Sequence, residues 1–228
     1  MSKKKARWRK LDNAAKLYSA ASNKKDTRVF RFYCELKEKV NPDVLQEALN
    51  QTIEIFPTFL MVLRKGFFWH YLEPCNLRPI VKEEYKEPCS RLYIKDKKTL
   101  LFEVTYYKKR INFEVFHVLT DGTGATEFLK ELVKNYLYLI HKVNGLEAVS
   151  LLPEDMTVQD QEVDSFLKYY SKDQKRPKKR KLNAFQIRRK KKDGNHLHVH
   201  ESVVSVQAVL KRSRELGVSM TIFLTALF

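Results

Sequence analysis

The spacing of apolar residues predicts a strand followed by a helix near the start of the chain. Residues 28–38 alternate apolar and polar side chains and contain aromatic and β-branched residues, which is typical of a strand. The next segment opens on Asn41-Pro42-Asp43, where Asn can cap a helix and Pro fits its first turn. Apolar residues then recur three and four positions apart, so a helix is expected to end before Pro57.

Further strands and one long helix are predicted in the middle of the chain. The strand candidates are residues 59–64, 67–72, 80–83, 99–107 and 111–117. The last two flank the basic turn Lys108-Lys109-Arg110 and therefore predict a hairpin. Residues 122–141 place apolar side chains along one stripe, which predicts an amphipathic helix packed on a sheet.

The last third of the chain is predicted to be organised differently. Residues 146–195 hold few apolar side chains among acidic and then basic stretches, and we interpret them as a linker or crossover. Residues 196–204 predict a strand, and helices are predicted at about 205–216 and 220–228. The final helix has no polar tail, so the chain is expected to stop within an element. These features predict an N-terminal domain over residues 1–145 and the opening of a second over 196–228.

The positive charge of the chain is confined to two short segments. The 228 residues include 44 Lys and Arg against 27 Asp and Glu, a formal net charge of +17. Residues 1–10 contain six basic and no acidic side chains, residues 172–192 contain twelve and one, and the rest balances. Such runs are usually solvated, and the alternative is an arm that binds the phosphates of nucleic acid, anionic lipid or an anionic cofactor.

Apolar run lengths and cysteine usage exclude several classes of protein. No apolar run approaches the roughly 20 residues that a membrane span needs. The residues before Asp26 lack the apolar core of a secretory signal. Cys34, Cys75 and Cys89 are odd in number and have no CxxC spacing, which argues against a disulfide framework or zinc site. We therefore expect a cytoplasmic protein with reduced thiols and no membrane span.

Residues 116–124 (FHVLTDGTG) are the segment with the residue types that catalysis uses. His117 falls at the end of a predicted strand, on a short loop that leads into the helix at Gly122. An imidazole placed there can project into a cleft and transfer protons near neutral pH. Asp121 can accept backbone N–H groups at the helix start or form an ion pair. The spacing alone favours a core histidine followed by a helix-capping Asp, because the motif is short and capping Asp residues are common.

A second group of histidines and an aromatic cluster have simpler interpretations. His196, His198 and His200 fall on one face of a predicted strand, and we interpret them as packed or solvent-facing and predict no metal site. Residues 67–71 (FFWHY) are rich in aromatic side chains, which we expect to be buried in the core or to line a tunnel.

The motif His117-x-x-x-Asp121-Gly122 resembles the HxxxDG motif of chloramphenicol acetyltransferase, peptide-synthetase condensation domains and plant and alcohol acyltransferases. Residues 11–16 (LDNAAK), 184–187 (AFQI) and 196–227 resemble bacterial alcohol-acetyltransferase-type members. The resemblance implies an α/β fold, a chloramphenicol-acetyltransferase-like sandwich with a mixed sheet flanked by helices. It also implies that the second half is incomplete.

The same resemblance implies an enzyme that transfers an acyl group from a thioester. His117 would be the general base toward an alcohol or amine acceptor, and Asp121 would support the loop beside Gly122. The co-substrate would be acetyl-CoA or another acyl thioester, with no permanently bound cofactor. Phe116 stands where condensation domains usually have a second histidine, and this favours acetyl transfer to an alcohol over peptide condensation.

Two alternatives to an active enzyme follow from the sequence. The first is a non-catalytic protein that binds nucleic acid or another polyanion through residues 1–10 and 172–192. The second is an inactive partial acyltransferase. Because a chain without its second half exposes apolar surface, self-association is a further expectation.

Overall fold

A computed structural model of the chain describes residues 8–95, 97–142, 199 and 201–227. The chain divides into two compact units, Met1–Arg189 and Lys190–Phe228. In the second unit, helix α4 (Val206–Glu215) is capped by Ser205, and helix α5 (Met220–Leu227) follows Gly217, whose φ is +65°. The remaining elements belong to the first unit.

The first unit contains a four-stranded mixed sheet. Its strands are β2 (Val29–Glu35), β5 (Lys82–Glu83), β6 (Phe102–Tyr107) and β7 (Arg110–Phe116). They lie in the order β2-β7-β6-β5. The β2–β7 and β6–β7 pairs are antiparallel, whereas β5 runs parallel to β6. Strands β6 and β7 form the predicted hairpin across the basic turn.

A second, three-stranded sheet is antiparallel throughout. It consists of β1 (Arg9–Lys10), β3 (Met61–Lys65) and β4 (His70–Pro74) in the order β1-β4-β3. Lys65 pairs with His70, so the four residues between them form the connection of the β3–β4 hairpin. Strand β1 brings the end of the basic N-terminal segment onto this hairpin.

Three helices flank the sheets, and each begins at a capping side chain. They are α1 (Asn13–Ala21), α2 (Pro42–Ile55) and α3 (Gly122–His141), and a 3₁₀ turn (Pro57–Phe59) follows α2. Asp12, Asn41 and Asp121 accept hydrogen bonds from backbone N–H groups of the first turns. Helix α2 packs along α3, and α3 packs on β2.

The core is built around Phe128 of α3. Its ring stacks on Phe59 at 4.5 Å and on Phe113 at 4.6 Å, and Phe56 and Phe102 lie 5.5 Å away. Burying one such side chain contributes about 1.5–3 kcal/mol. The cluster joins α3, the 3₁₀ turn and the β6–β7 hairpin, and so fixes where α3 begins.

Buried charges connect strands β2 and β7 of the mixed sheet with Glu84, the residue after β5. The Arg31 guanidinium lies 2.5 Å from Glu84 Oε1 and 2.8 Å from Glu114 Oε1. Glu114 also accepts the backbone N–H of Cys89 at 2.7 Å. These carboxylates raise the pKa of Arg31, although burial of the guanidinium, the largest single influence, opposes them. Arg110 reaches the other oxygen of Glu84 at 3.3 Å.

The predicted mixed α/β sandwich is confirmed, and the differences from the predictions are local. The structure adds helix α1, where no element is predicted from the sequence. Residues 199 and 201–204 form no strand, and the other residues of the strand predicted at 196–204 lie outside the described ranges. The strand predicted at 67–72 begins only at His70.

Of the two expectations for the aromatic side chains of residues 67–71, burial in the core is wrong for the first three residues, and tunnel lining stays a prediction. Phe67 is 94% exposed, Phe68 86% and Trp69 60%, because they form the hairpin connection and not a strand. The predicted linker over residues 146–195 lies outside the described residues, and the domain boundaries stay predictions.

Candidate active site

His117 lies in the turn between β7 and α3, one residue beyond the end of the strand. Its backbone N–H donates to the carbonyl of Arg28 at 2.9 Å, which extends the β2–β7 pairing by one step. Arg28 has φ of +55°, an uncommon conformation for a residue with a side chain. The sheet therefore fixes the backbone of His117. The side chain of His117 is half-buried and lies beyond the end of β7.

Two aromatic rings hold the imidazole. Tyr18 of α1 stacks on His117 with ring centroids 4.1 Å apart and planes 14° apart. Phe30 of β2 contacts the imidazole at 4.6 Å with planes tilted by 50°. The rings restrict rotation of the imidazole, and stacking leaves its two nitrogens at the ring edge.

Asp121 supports the helix and is exposed to solvent. Its Oδ1 accepts the backbone N–H of Gly124 at 2.9 Å, so the carboxylate caps α3. Its charge also lies at the helix N-terminus, where a negative charge is favourable. Of the two expectations for this residue, the backbone hydrogen bond is found. No ion pair of Asp121 is found among the described residues.

The two glycines of the motif differ in how much space they have. A Cβ on Gly122 would lie 4.0 Å from Phe32 Cζ, an ordinary contact. A Cβ on Gly124 would lie 2.2 Å from Thr120 Oγ1, which is far inside contact distance. The close approach of backbone to side chain is therefore at Gly124, although the predicted motif ends at Gly122.

Comparison with known proteins identifies the fold. No family model matches the chain, and no curated protein matches its sequence. The starter condensation domain of rhizomide synthetase RzmA superposes with a TM-score of 0.54 and 12% identity. The first condensation domain of the CDA synthetase superposes with a TM-score of 0.52 and 13% identity. This chain has the fold of a condensation domain.

The likeness to condensation domains covers only part of those proteins. Each of the two superpositions covers 72% of this chain and 44% of the matched domain, so the chain spans less than half of their length. The same shares apply to the first condensation domain of the calcium-dependent antibiotic synthetase in complex with a substrate analogue, at a TM-score of 0.51 and 14% identity.

The condensation fold brings together side chains that lie far apart in the sequence. His117 and Asp121 are placed at the strand end and helix start that the spacing predicts. The sequence alone does not indicate that Tyr18 and Phe30 contact the imidazole. Asp12 is a helix-capping residue followed by apolar positions on one helical face, and this pattern could have placed Tyr18 on a helix. The stacking of Tyr18 on His117 could not have been predicted from the pattern.

The other groups that could act chemically lie outside this arrangement. Cys34, Cys75 and Cys89 are free thiols, and burial raises the pKa of each, so they are protonated near neutral pH. In the parts of the chain that the structure describes, no three His, Cys, Asp or Glu side chains are grouped as metal ligands. Residues 172–192 and the histidines at 196, 198 and 200 fall outside those parts.

Proposed function

We propose that the protein transfers an acyl group from a coenzyme A or carrier-bound thioester to a small-molecule hydroxyl or amine, with His117 as the general base. The supporting observation is the position of His117, which is clamped by Tyr18 and Phe30 at the start of α3 in a condensation fold. We further propose acetyl-CoA as the donor and an alcohol as the acceptor.

His117 acts on the acceptor in the proposed reaction. An imidazole nitrogen takes the proton of the hydroxyl or amine while the acceptor oxygen or nitrogen bonds to the thioester carbonyl carbon. The C–S bond then breaks, and the thiolate that leaves takes up the proton held by the imidazolium. General-base assistance of this kind is worth about 10²–10⁴-fold in rate.

Asp121 and Gly122 have supporting parts in the proposal. The carboxylate of Asp121 holds the first turn of α3 through Gly124, and this keeps the His117 turn at one end of the helix. Gly122 adds no side chain beside Phe32 at the helix start. Neither residue transfers a proton in this mechanism.

The first test is thiol release from acetyl-CoA in the presence of a panel of small alcohols and amines. We expect acceptor-dependent release by the unaltered chain and a loss of about 10²-fold or more in His117→Ala. His141→Ala is the matched control, because His141 is exposed at the far end of α3 and should not affect the rate. Release that continues unchanged in His117→Ala would exclude this histidine as the base.

The same experiment tests whether this chain is active by itself. The chain spans 44% of the matched condensation domains, and a self-sufficient active site within it is part of the proposal. A folded preparation that releases no thiol with any acceptor would contradict self-sufficiency. It would favour the inactive partial acyltransferase.

A further inference from the structure

The β3–β4 hairpin ends in a group of aromatic side chains that are exposed. Phe67, Phe68 and Trp69 (the aromatic tip) are 94%, 86% and 60% exposed. The connection is closed by a hydrogen bond from the Gly66 N–H to the Trp69 carbonyl at 2.7 Å. Large apolar side chains grouped on a surface mark a site of interaction with another surface, whereas single exposed ones are common.

Basic side chains surround the base of this hairpin. Arg64, Lys65 and Lys97 (the basic rim) line a cavity of about 190 Å³ together with Leu63 and Tyr93. Arg64 also pairs with Glu73 on the neighbouring strand at 3.3 Å, so Lys65 and Lys97 are the two rim cations without an ion pair among the described residues. The segment that carries Lys97, residues 95–98, contains three lysines and one aspartate.

The end of the basic N-terminal segment adds to the same surface. Arg9 and Lys10 of β1 pair with Leu72 and Tyr71 of β4, and Trp8 contacts the Tyr71 ring edge-on at 6.1 Å. His70 does not add charge near neutral pH, because burial and then the neighbouring Lys65 lower its pKa. The positive charge here therefore comes from lysine and arginine.

We propose that the aromatic tip and the basic rim together bind the surface of an anionic lipid membrane. Aromatic side chains at the tip enter the interface between headgroups and acyl chains, where Trp and Tyr are favoured. Lysines near the interface are attracted by the negative surface potential of anionic lipids. The tip supplies the apolar contact and the rim the charge complementarity that a lipid surface requires.

The shape and charge of this surface favour lipid over two other partners. The Phe67 and Phe68 rings lie 5.7 Å apart with planes tilted by 54°, so they form a wedge and not the flat stacking platform that single-stranded nucleic acid uses. A second copy of the chain would place two basic rims against each other, which is repulsive. A wedge with a cationic base matches a layer of anionic headgroups.

The experiment is co-sedimentation of the full chain with lipid vesicles. One set consists of phosphatidylcholine alone and the other of equimolar phosphatidylcholine and phosphatidylglycerol. We expect binding to the anionic vesicles to be at least tenfold tighter and to weaken as salt is added. Phe67→Ser/Phe68→Ser should weaken it by about tenfold to a hundredfold, and Lys65→Gln/Lys97→Gln should reduce the preference for anionic lipid.

Two matched variants separate this surface from other causes. Ile80→Ser removes an apolar side chain that is 64% exposed outside the hairpin, and should bind as the unaltered chain does. His117→Ala should also bind normally, because lipid binding does not depend on the proposed acyl transfer.

A fluorescence measurement reports on the tip directly. In Trp8→Phe, Trp69 is the remaining tryptophan, and its emission should shift to the blue on anionic vesicles.

Four results would overturn the proposal. The first is vesicle binding that is unchanged in Phe67→Ser/Phe68→Ser. The second is Trp69 emission that is already blue-shifted and shielded from iodide without vesicles, which would mean that another part of the protein covers the tip. The third is tip-dependent binding of single-stranded DNA with no binding to vesicles. The fourth is a tip-dependent dimer in analytical ultracentrifugation, which would assign the surface to a second copy of the chain.

Discussion

Tyr18 and His117 share a stacked contact in which the tyrosine ring covers one face of the imidazole. A stacked neighbour restricts rotation about the Cβ–Cγ bond of the histidine. In the proposed reaction Tyr18 is therefore a positioning residue, and its hydroxyl has no part in the chemistry.

This role predicts a difference between two substitutions of Tyr18. Tyr18→Phe keeps the ring and should keep kcat close to that of the unaltered chain. Tyr18→Leu removes the flat face, and because misplaced catalytic groups lose rate steeply, kcat should fall by about tenfold or more while KM changes little. Steady-state kinetics measure both. Equal losses in the two variants would show that the hydroxyl matters instead.

Gly124 and Thr120 predict a coupled effect on stability. Gly124→Ala places a methyl group against Thr120 Oγ1 and should lower the free energy of unfolding by about 1 kcal/mol or more. In a Thr120→Ala background the clash is absent, so the same change should raise it by up to about 1 kcal/mol, since alanine is the better helix former. Urea unfolding of the unaltered chain, the two single variants and the double variant measures these free energies. An equal effect of Gly124→Ala in both backgrounds would contradict the contact with Thr120.

At the residue scale, the sequence predicts where a side chain lies along the strands and helices better than it predicts which side chains it contacts. The places of His117 and Asp121 could be predicted because a strand end and a helix cap are local features with characteristic residue types. The contacts of Tyr18 and Phe30 with the imidazole depend on how distant elements pack. Spacing along the chain contains no such information.

At the element scale, Arg31 joins strand β2 to strand β7 and to the segment after β5. Its partner Glu114 is 2% exposed and faces Arg31 directly across the β2–β7 pair. A buried carboxylate is tolerated because the guanidinium and a backbone N–H surround it.

Removing this guanidinium should therefore have a large effect. Arg31→Met leaves Glu114 buried without its cation and should lower the free energy of unfolding by about 3–5 kcal/mol. Arg64→Met breaks the more exposed pair with Glu73 and should cost about 1 kcal/mol or less. Denaturant unfolding compares the two variants, and similar small losses would mean that the Arg31 pairs contribute little.

The elements that were predicted incorrectly show how local pattern can mislead. The run Phe67-Phe68-Trp69 is apolar and aromatic, and such a run is typical of a buried strand. The register of the β3–β4 hairpin instead makes it the connection, because Lys65 already pairs with His70. Helix α1 is short, and its Asp12 cap and apolar face carry a weaker signal than those of α2 and α3.

At the scale of the whole molecule, the mixed sheet, the antiparallel hairpin sheet and their helices reproduce the condensation fold over less than half of the matched domains. The fold class could be predicted because the HxxxDG motif resembles that of a known superfamily, and the order of the predicted strands and helices through α3 agrees with it. No helix within the described ranges has both the length and the apolar character to span a membrane.

The clamp on His117 also has a consequence for how the protein is made. Residue 18 contacts residue 117, and strand β1 pairs residue 10 with residue 71. The ribosome delivers the N-terminal strand and helix first, but neither can dock until its partner has been synthesised. Strand β1 therefore waits for β4, and the imidazole gains its tyrosine neighbour only when β7 has formed.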